Sequence, residues 1–127
     1  MVTVMMPRKE NIIEVKSELF SDRIVKMFQY LSCHRHENVL SKQILRSGTS
    51  IGANVAESFN AQSDADFISK LSIALKESDE TLYWLKKLRA GDYLTEKEFT
   101  SMETDNVEII KLLTSIIKTK KKNMGLL

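Results

Sequence analysis

The pentapeptide at positions 48–52, Gly-Thr-Ser-Ile-Gly, has the spacing of a hydrolase nucleophile elbow, in which a serine attacks a carbonyl carbon. That motif works because a sharp turn between a strand and a helix exposes the serine. Here the pentapeptide lies inside a predicted helix. No histidine follows Ser50, whereas the hydrolase order places the general base after the nucleophile. The spacing therefore does not predict a hydrolase.

Cys33, His34, His36 and Glu37 stand together near the predicted end of the first helix, and each could bind a metal ion. A structural zinc site, however, draws its ligands from two separated pairs, and a second pair is missing. A di-iron site in a bundle needs a Glu-x-x-His motif on each of two helices, and the chain has only these two histidines. We therefore predict no metal site and interpret the segment as a polar connection, with a pH-sensitive or redox role left open.

Glu77 and Glu80 could act as an acid and a base, but Lys76, Lys86 and Lys87 nearby are typical of a solvated helix face. The sequence also lacks a glycine-rich loop that could cradle a phosphate. With no catalytic residue and no cofactor-binding motif, it predicts a protein without enzymatic activity. A small-molecule enzyme would have to rely on polar residues to which no role can be assigned.

The elements that carry these residues are predicted to be helices, because one proline and four glycines offer few positions at which a helix would be interrupted. In addition, no stretch alternates apolar and polar residues with the two-residue period of a strand. The pattern predicts helices over about Lys9–Arg35, about Asn38–Gln62, Ser63–Gly91 and from Thr95 onward. Four amphipathic helices with short connections predict an all-α fold, an antiparallel up-and-down four-helix bundle.

Three of these helices carry local signals. Gly48 and Gly52 inside the second helix should each cost about 1 kcal/mol relative to alanine, so we expect them to let a neighbouring backbone approach closely. Ser63 is placed to cap the third helix, and Thr95 with Glu98 forms a capping-box pattern for the fourth.

The length of 127 residues fits one domain, predicted to cover positions 1–127. We expect residues 1–8 to form a flexible or docking arm, since their apolar part is too short for a signal peptide or a membrane span. Residues 119–127, rich in lysine, are expected to form a frayed basic tail. A single cysteine, Cys33, allows no intrachain disulfide and favours the cytoplasm.

Ile73 and Trp84 project close together on the third helix, on the side opposite Leu71 and Leu82. In an isolated bundle, this side of the third helix is expected to face away from the core. The pair is either two scattered exposed apolar residues or a subunit interface, where tryptophan is enriched.

A polar stripe on the second helix has three interpretations: a solvated face, a charge pair to Glu77 or Glu80 that ties helices together, or a contact with a ligand or nucleic acid. The stripe consists of Gln43, Arg46, Ser50, Asn54 and Glu57. The formal net charge of +2 does not by itself imply nucleic acid, but several basic residues lie in the first half of the chain. Among them, Arg23, Lys26, Lys42 and Arg46 are expected to form a modest basic patch that contacts nucleic acid.

The segment from Leu40 to Leu88 resembles the bacterial four-helix-bundle family of the 23S ribosomal RNA intervening-sequence protein. The residues that carry the resemblance are Leu45-Arg46-Ser47, the run from Ser50 to Glu57, Asp66-Phe67-Ile68 and the stretch from Leu71 to Glu77. Many members of that family continue with glycine and arginine after the Ala-Glu pair, whereas here Glu57 is followed by Ser58 and Phe59. One basic contact expected of the family is therefore absent.

The resemblance implies an antiparallel bundle that assembles into a ring of five subunits, in a family encoded within insertions in ribosomal RNA genes and largely without an assigned activity. Accessory proteins of diversity-generating retroelements look similar in fold; they are basic, ring-shaped and associated with nucleic acid and a reverse transcriptase. By this analogy we expect a homo-oligomer that binds RNA or DNA through phosphates and has no membrane contact. The rival hypothesis is a scaffold that presents Arg46, Asn54 and Glu57 to a partner protein.

Overall fold

The computed structural model describes residues 9–127, and four α-helices occupy most of that length. In chain order they are α1 (Lys9–His34), α2 (Leu40–Ser58), α3 (Asp64–Ala90) and α4 (Glu96–Asn123). Each helix packs against the next and α4 also packs against α1, so the helices stand in chain order around a square bundle. None of the described residues forms a strand. The predicted all-α, four-helix architecture is confirmed.

The helix boundaries differ from the predicted ones in two places. α2 begins at Leu40 and ends at Ser58, short of the predicted Asn38–Gln62, because the chain turns after Ser58, where the Ala61 amide donates to the Ser58 carbonyl at 3.2 Å. α4 continues to Asn123, so residues 119–123, which the sequence placed in a frayed tail, are helical.

One residue of that predicted tail, Lys120, explains why α4 extends so far. Its Nζ lies 2.9 Å from Asp64 Oδ1 and 5.2 Å from the centroid of the Phe67 ring. Both contacts hold the last turns of α4 against the start of α3, and basic side chains are favourable at a helix C-terminus. The predicted arm at residues 1–8 lies outside the described residues.

The predicted caps of α3 and α4 are confirmed. Ser63 Oγ accepts a hydrogen bond from the Asp66 amide at 3.1 Å. Thr95 Oγ1 accepts from the Glu98 amide at 3.1 Å, and Glu98 Oε1 accepts from the Thr95 amide at 2.8 Å, which completes the capping box. Each cap satisfies amides that have no partner inside their helix, a contribution of about 1 kcal/mol.

The start of α2 is closed by a residue that precedes the usual cap position. Glu37 Oε2 accepts from the amides of Val39 and Leu40 at 3.2 Å each, and Oε1 accepts from the Ser41 amide at 2.7 Å. Burial of Glu37 by itself raises the pKa of its carboxyl, but the hydrogen bonds from Ser41, Leu40 and Val39 together outweigh burial and hold that pKa below its ordinary value of 4.5. Glu37 is therefore a structural carboxylate.

Gly52 and Gly48 face α1 at close range, but the predicted approach of a neighbouring backbone occurs only at Gly52, whereas Gly48 faces the Ile24 side chain. A Cβ on Gly52 would lie 2.9 Å from Ser21 Oγ and 3.3 Å from the Ser17 carbonyl oxygen. A Cβ on Gly48 would lie 2.7 Å from the nearest atom of the Ile24 side chain. The absence of side chains at these two positions lets α1 and α2 pack against each other.

The centre of the bundle is apolar but contains hydroxyl and amide groups. Thr81 Oγ1 donates to Ser47 Oγ at 2.9 Å, which links α3 to α2. Asn106 is fully buried; its Nδ2 donates to the Ser78 carbonyl at 3.0 Å, while its Oδ1 has no hydrogen-bond partner among the described residues. Within residues 9–127, no helix combines the length and apolar character that crossing a membrane requires.

Candidate functional site

The groove between α2 and α3 is bridged by an arginine from the predicted polar stripe. The Arg46 guanidinium donates to Glu77 Oε2 at 3.3 Å and also to Glu80 Oε2. The same Glu80 oxygen accepts the indole N–H of Trp84 at 3.0 Å. Of the interpretations that the sequence left open, the geometry is that of a charge pair that ties two helices together.

Three further members of the polar stripe, Ser50, Asn54 and Glu57, also have partners within the bundle. Ser50 Oγ donates to the Arg46 carbonyl at 2.6 Å, and Asn54 Nδ2 donates to the Ser50 carbonyl at 2.8 Å. Glu57, which is largely exposed, lies 3.7 Å from Lys70 Nζ on α3. Since Ser50 is in the middle of α2 and bonded to its own helix, the elbow-like spacing does not expose a nucleophile.

The two residues of the predicted subunit interface differ in burial. Ile73 is 40% exposed, whereas Trp84 is half-buried and packs against the core. The expectation that Trp84 has no core beside it was wrong because α3 is rotated from the predicted orientation. Thr81, which bonds to α2, is buried, and Leu82 is only half-buried. This rotation turns Trp84 toward α2.

The predicted basic residues fall on two opposite sides of the bundle. Arg23 donates to Asp105 Oδ2 at 2.5 Å and to Ser101 Oγ at 2.8 Å, both on α4. Arg46 faces α3, and Lys42 lies one turn before it on α2. Because the α1–α4 and α2–α3 sides are opposite each other, the single patch expected from Arg23, Lys26, Lys42 and Arg46 does not form.

A groove of about 450 Å³ opens between α1 and α4, close to the turn that joins α3 to α4. Its floor is made of apolar side chains that are more than nine-tenths buried, namely Met27, Leu94 and Met102. Its walls carry Lys26 and Tyr30 from α1 and Lys97 from α4. Neither lysine forms an ion pair within the described part of the chain. We call this feature the α1–α4 groove.

The sequence indicated only part of the α1–α4 groove. Lys26 was singled out, but Tyr30 and Lys97 were missed. Lys26 and Tyr30 are four residues apart and so share a helix face, which was a usable signal. Lys97 joins them only because the first and last helices pack together, and no local pattern reports that contact.

The cysteine and histidines near the end of α1 do not converge on one point. Cys33 is exposed, His34 packs against the Tyr30 ring with centroids 5.6 Å apart, and His36 adopts a left-handed conformation with φ of 54°. No group of three histidine, cysteine, aspartate or glutamate residues in the described chain is arranged to hold a metal ion. His34 instead extends the aromatic surface beside the α1–α4 groove.

A second opening, of about 740 Å³, lies at the far end of the bundle, where α1 begins and α4 ends. Its lining includes the paired charges of Asp64 and Lys120 together with Phe59 and Phe67. The lining also includes the carboxylate of Glu10, so this opening does not present an excess of positive charge.

Comparisons with known proteins match a family model and a solved structure. A family model described as 23S rRNA-intervening sequence protein matches residues 9–115. The chain is also similar to a crystal structure described as a protein with unknown function from the S23 ribosomal protein family of Bacteroides thetaiotaomicron. The two are 53% identical, the match covers 87% of this chain and 99% of the other, and the TM-score is 0.87. No match was found among curated proteins.

Proposed function

Because the chain belongs to the 23S rRNA-intervening sequence protein family, we propose that it is a non-enzymatic, homo-oligomeric helical bundle that binds structured RNA or DNA. In this proposal, lysine and arginine contact phosphates and do not read base edges. The observation that carries it is the α1–α4 groove, where Lys26 and Lys97 present two positive charges with no carboxylate paired to either in the described chain.

The assembly that we propose is the ring of five that the resemblance implies, formed through the outer face of α3 around Ile73 and Trp84. The α1–α4 groove lies on the other side of the bundle from α2 and α3. A fivefold ring would repeat that groove around its axis and so multiply a modest positive field. We place the assembly in the cytoplasm, where the exposed thiol of Cys33 would stay reduced.

Absence of enzymatic activity is part of the proposal. The groups that could have acted in catalysis are held by neighbours: Ser50 by its own helix, and Glu77 and Glu80 by Arg46. We therefore propose that none of these groups acts on a substrate.

Fluorescence anisotropy with a labelled RNA hairpin and a DNA hairpin of the same sequence, titrated with salt, tests the proposal. We expect binding at low salt, with the logarithm of the association constant falling linearly with the logarithm of salt concentration. Replacing Lys26 and Lys97 by glutamine should reduce that slope by about two. The matched control replaces by glutamine two exposed lysines elsewhere, Lys76 and Lys111, which form no ion pair within residues 9–127. Failure of both hairpins to bind at the lowest salt would contradict the proposal.

The alternative function is a scaffold that holds a partner protein without nucleic acid. The exposed Ile73 and Tyr83 on α3 favour it, since apolar and aromatic groups are common at protein interfaces. The polar stripe offers less, because Arg46, Asn54 and Glu57 already have partners. A partner complex that survives both nuclease and high salt would support the scaffold over nucleic-acid binding.

A further inference from the structure

The α1–α4 groove combines a size and a floor that suit a small planar group. Its volume of about 450 Å³ lies within the range of roughly 300 to 1,000 Å³ that is usual for ligand pockets. Met27, Leu94 and Met102 form the floor, and methionine side chains adapt readily to the shape of an aromatic partner. The floor therefore favours an apolar, flat portion of a ligand.

An aromatic side chain stands at the wall of the groove and is accessible. Tyr30 is 41% exposed, and the tilted ring of His34 lies next to it with a centroid distance of 5.6 Å. A half-exposed tyrosine can offer a ring face on which a nucleobase stacks. Stacking of this kind tolerates any base, because every base has an aromatic face.

The rim of the groove adds positive charge on both walls. Lys26 lies on α1 and Lys97 in the first turn of α4, where the positive end of the helix dipole disfavours a lysine but favours an anion. Arg23, also in the lining, is paired with Asp105, and the carboxylate of Glu98 is held by the Thr95 amide. Within residues 9–127, Lys26 and Lys97 form no ion pair, so an incoming phosphate can bind them without displacing a carboxylate.

We infer that the α1–α4 groove binds an unpaired nucleotide, whose base stacks on Tyr30 above the methionine floor and whose flanking phosphates contact Lys26 and Lys97. This inference rests on the proposed function and makes it more specific, because it names the part of a folded RNA or DNA that is recognised. A base in a duplex is already stacked and paired, so the groove selects loops, bulges and ends. Its position on the side away from α2 and α3 leaves it open when subunits associate through Ile73.

The test compares a labelled RNA hairpin that has an unpaired loop with a blunt duplex made from the same stem, and repeats both with DNA. Tyr30→Ala should weaken binding of the loop hairpin by about five- to 150-fold and leave duplex binding unchanged. Tyr30→Phe should bind like the unaltered protein because it retains the ring. Phe59→Ala, which removes an aromatic ring that is 42% exposed at the far end of the bundle, is the matched control and should have no effect on either probe.

The outcomes separate the two proposals. If the loop hairpin binds but Tyr30→Ala binds it as tightly as Phe59→Ala does, the groove is not the site, although the proposed function stands. If the duplex binds as tightly as the hairpin and both respond equally to Tyr30→Ala, recognition of an unpaired nucleotide is wrong. If neither probe binds to the unaltered protein at low salt, both proposals fail. Circular dichroism of each variant establishes that it is folded, and Tyr30→Phe preserves the packing of the helix if alanine does not.

Discussion

The Arg46 guanidinium and the Glu80 carboxylate form an ion pair across the groove between α2 and α3, and Trp84 donates its indole N–H to the same carboxylate. One acidic group on α3 thus connects the most prominent basic residue of the resemblance with the only tryptophan of the chain. Glu77, only 17% exposed, is the second acceptor for Arg46. This arrangement makes Arg46 part of the fold.

Arg46→Ala should therefore lower the free energy of unfolding. The guanidinium is half-exposed, so the ion pair itself contributes no more than about 1 kcal/mol, to which the mostly buried Glu77 left without its partner adds a further penalty. Chemical denaturation measures the change. Lys42→Ala, one turn earlier on the same helix and without an ion-pair partner in residues 9–127, is the matched control and should leave stability unchanged. Unchanged stability of Arg46→Ala together with lost nucleic-acid binding would instead assign Arg46 to the ligand.

Gly52→Ala should destabilise the protein, which is the opposite of the usual effect. Alanine in place of a helical glycine normally gains about 1 kcal/mol, because it reduces the flexibility of the unfolded chain. Here the new Cβ would lie 2.9 Å from Ser21 Oγ and 3.3 Å from the Ser17 carbonyl oxygen, so the Ser21 hydroxyl must rotate away and the α1 backbone must move by a few tenths of an ångström, at a cost of about 1 to 3 kcal/mol. Thermal unfolding gives the sign directly.

Ser21→Ala provides a second step in the Gly52 experiment. It removes the nearest atom but leaves the Ser17 carbonyl, so the double variant should recover part of the lost stability and not all of it. A stabilised Gly52→Ala would show that α1 and α2 are not as close in solution as the distances require.

Glu37→Gln should destabilise the bundle at neutral pH. The charged carboxylate accepts from three amides at the start of α2, and its pKa is lowered in the folded state. A lowered pKa means that this stabilisation is present above the unfolded-state value of about 4.5 and is lost as pH falls through the folded-state value. The variant should lose about 0.5 to 2 kcal/mol at pH 7, the usual range for a lost helix cap.

The pH dependence distinguishes a charged cap from a general packing effect. The stability difference between the unaltered protein and Glu37→Gln should shrink as pH falls below about 4.5. Glu18→Gln, at an exposed position on α1, should show no comparable pH-dependent difference. A difference for Glu37→Gln that stays constant down to strongly acidic pH would contradict the role of the charge.

Local features of the sequence predicted much of the fold, because the residues concerned act on their own helix. Thr95 and Glu98 are three positions apart and complete a capping box wherever a helix starts there. Gly52 is unfavourable inside a helix by about 1 kcal/mol relative to alanine, and this cost predicted that a neighbouring backbone packs closely against it. The end of α4 could not be predicted in this way, since it depends on Lys120 reaching Asp64 on another helix.

The candidate site was less predictable, because it depends on how helices pair and rotate. A helical projection places Trp84 only by its angle on α3, whereas the side of α3 that meets α2, the side that carries Thr81 bonded to Ser47, depends on how the two helices pack. Likewise, the sequence shows Arg23 and Arg46 only as two basic residues in the first half of the chain. In the structure Arg23 pairs with Asp105 on α4 and Arg46 pairs with Glu77 on α3, on opposite sides of the bundle. Only the assembled fold separates them.

The proposed subunit contact gives the last prediction. Ile73 is 40% exposed on α3, and burying such a side chain against a partner contributes about 1 to 3 kcal/mol per subunit. Light scattering after size fractionation should give a mass near five protomers for the unaltered protein. Ile73→Lys should dissociate the assembly, because it would place a charge in an apolar contact, while each bundle stays folded since Ile73 is not part of the core.

Two comparisons make the oligomer experiment decisive. Val15→Lys introduces the same charge at an apolar position that is 57% exposed on α1, and it should leave the mass unchanged. Trp84→Ala should weaken the assembly and also lower the free energy of unfolding, because Trp84 packs against the core and bonds to Glu80. A monomeric mass for the unaltered protein would contradict the proposed ring. If the assembly withstands Ile73→Lys but dissociates with Val15→Lys, the subunit interface lies on α1 and not on α3.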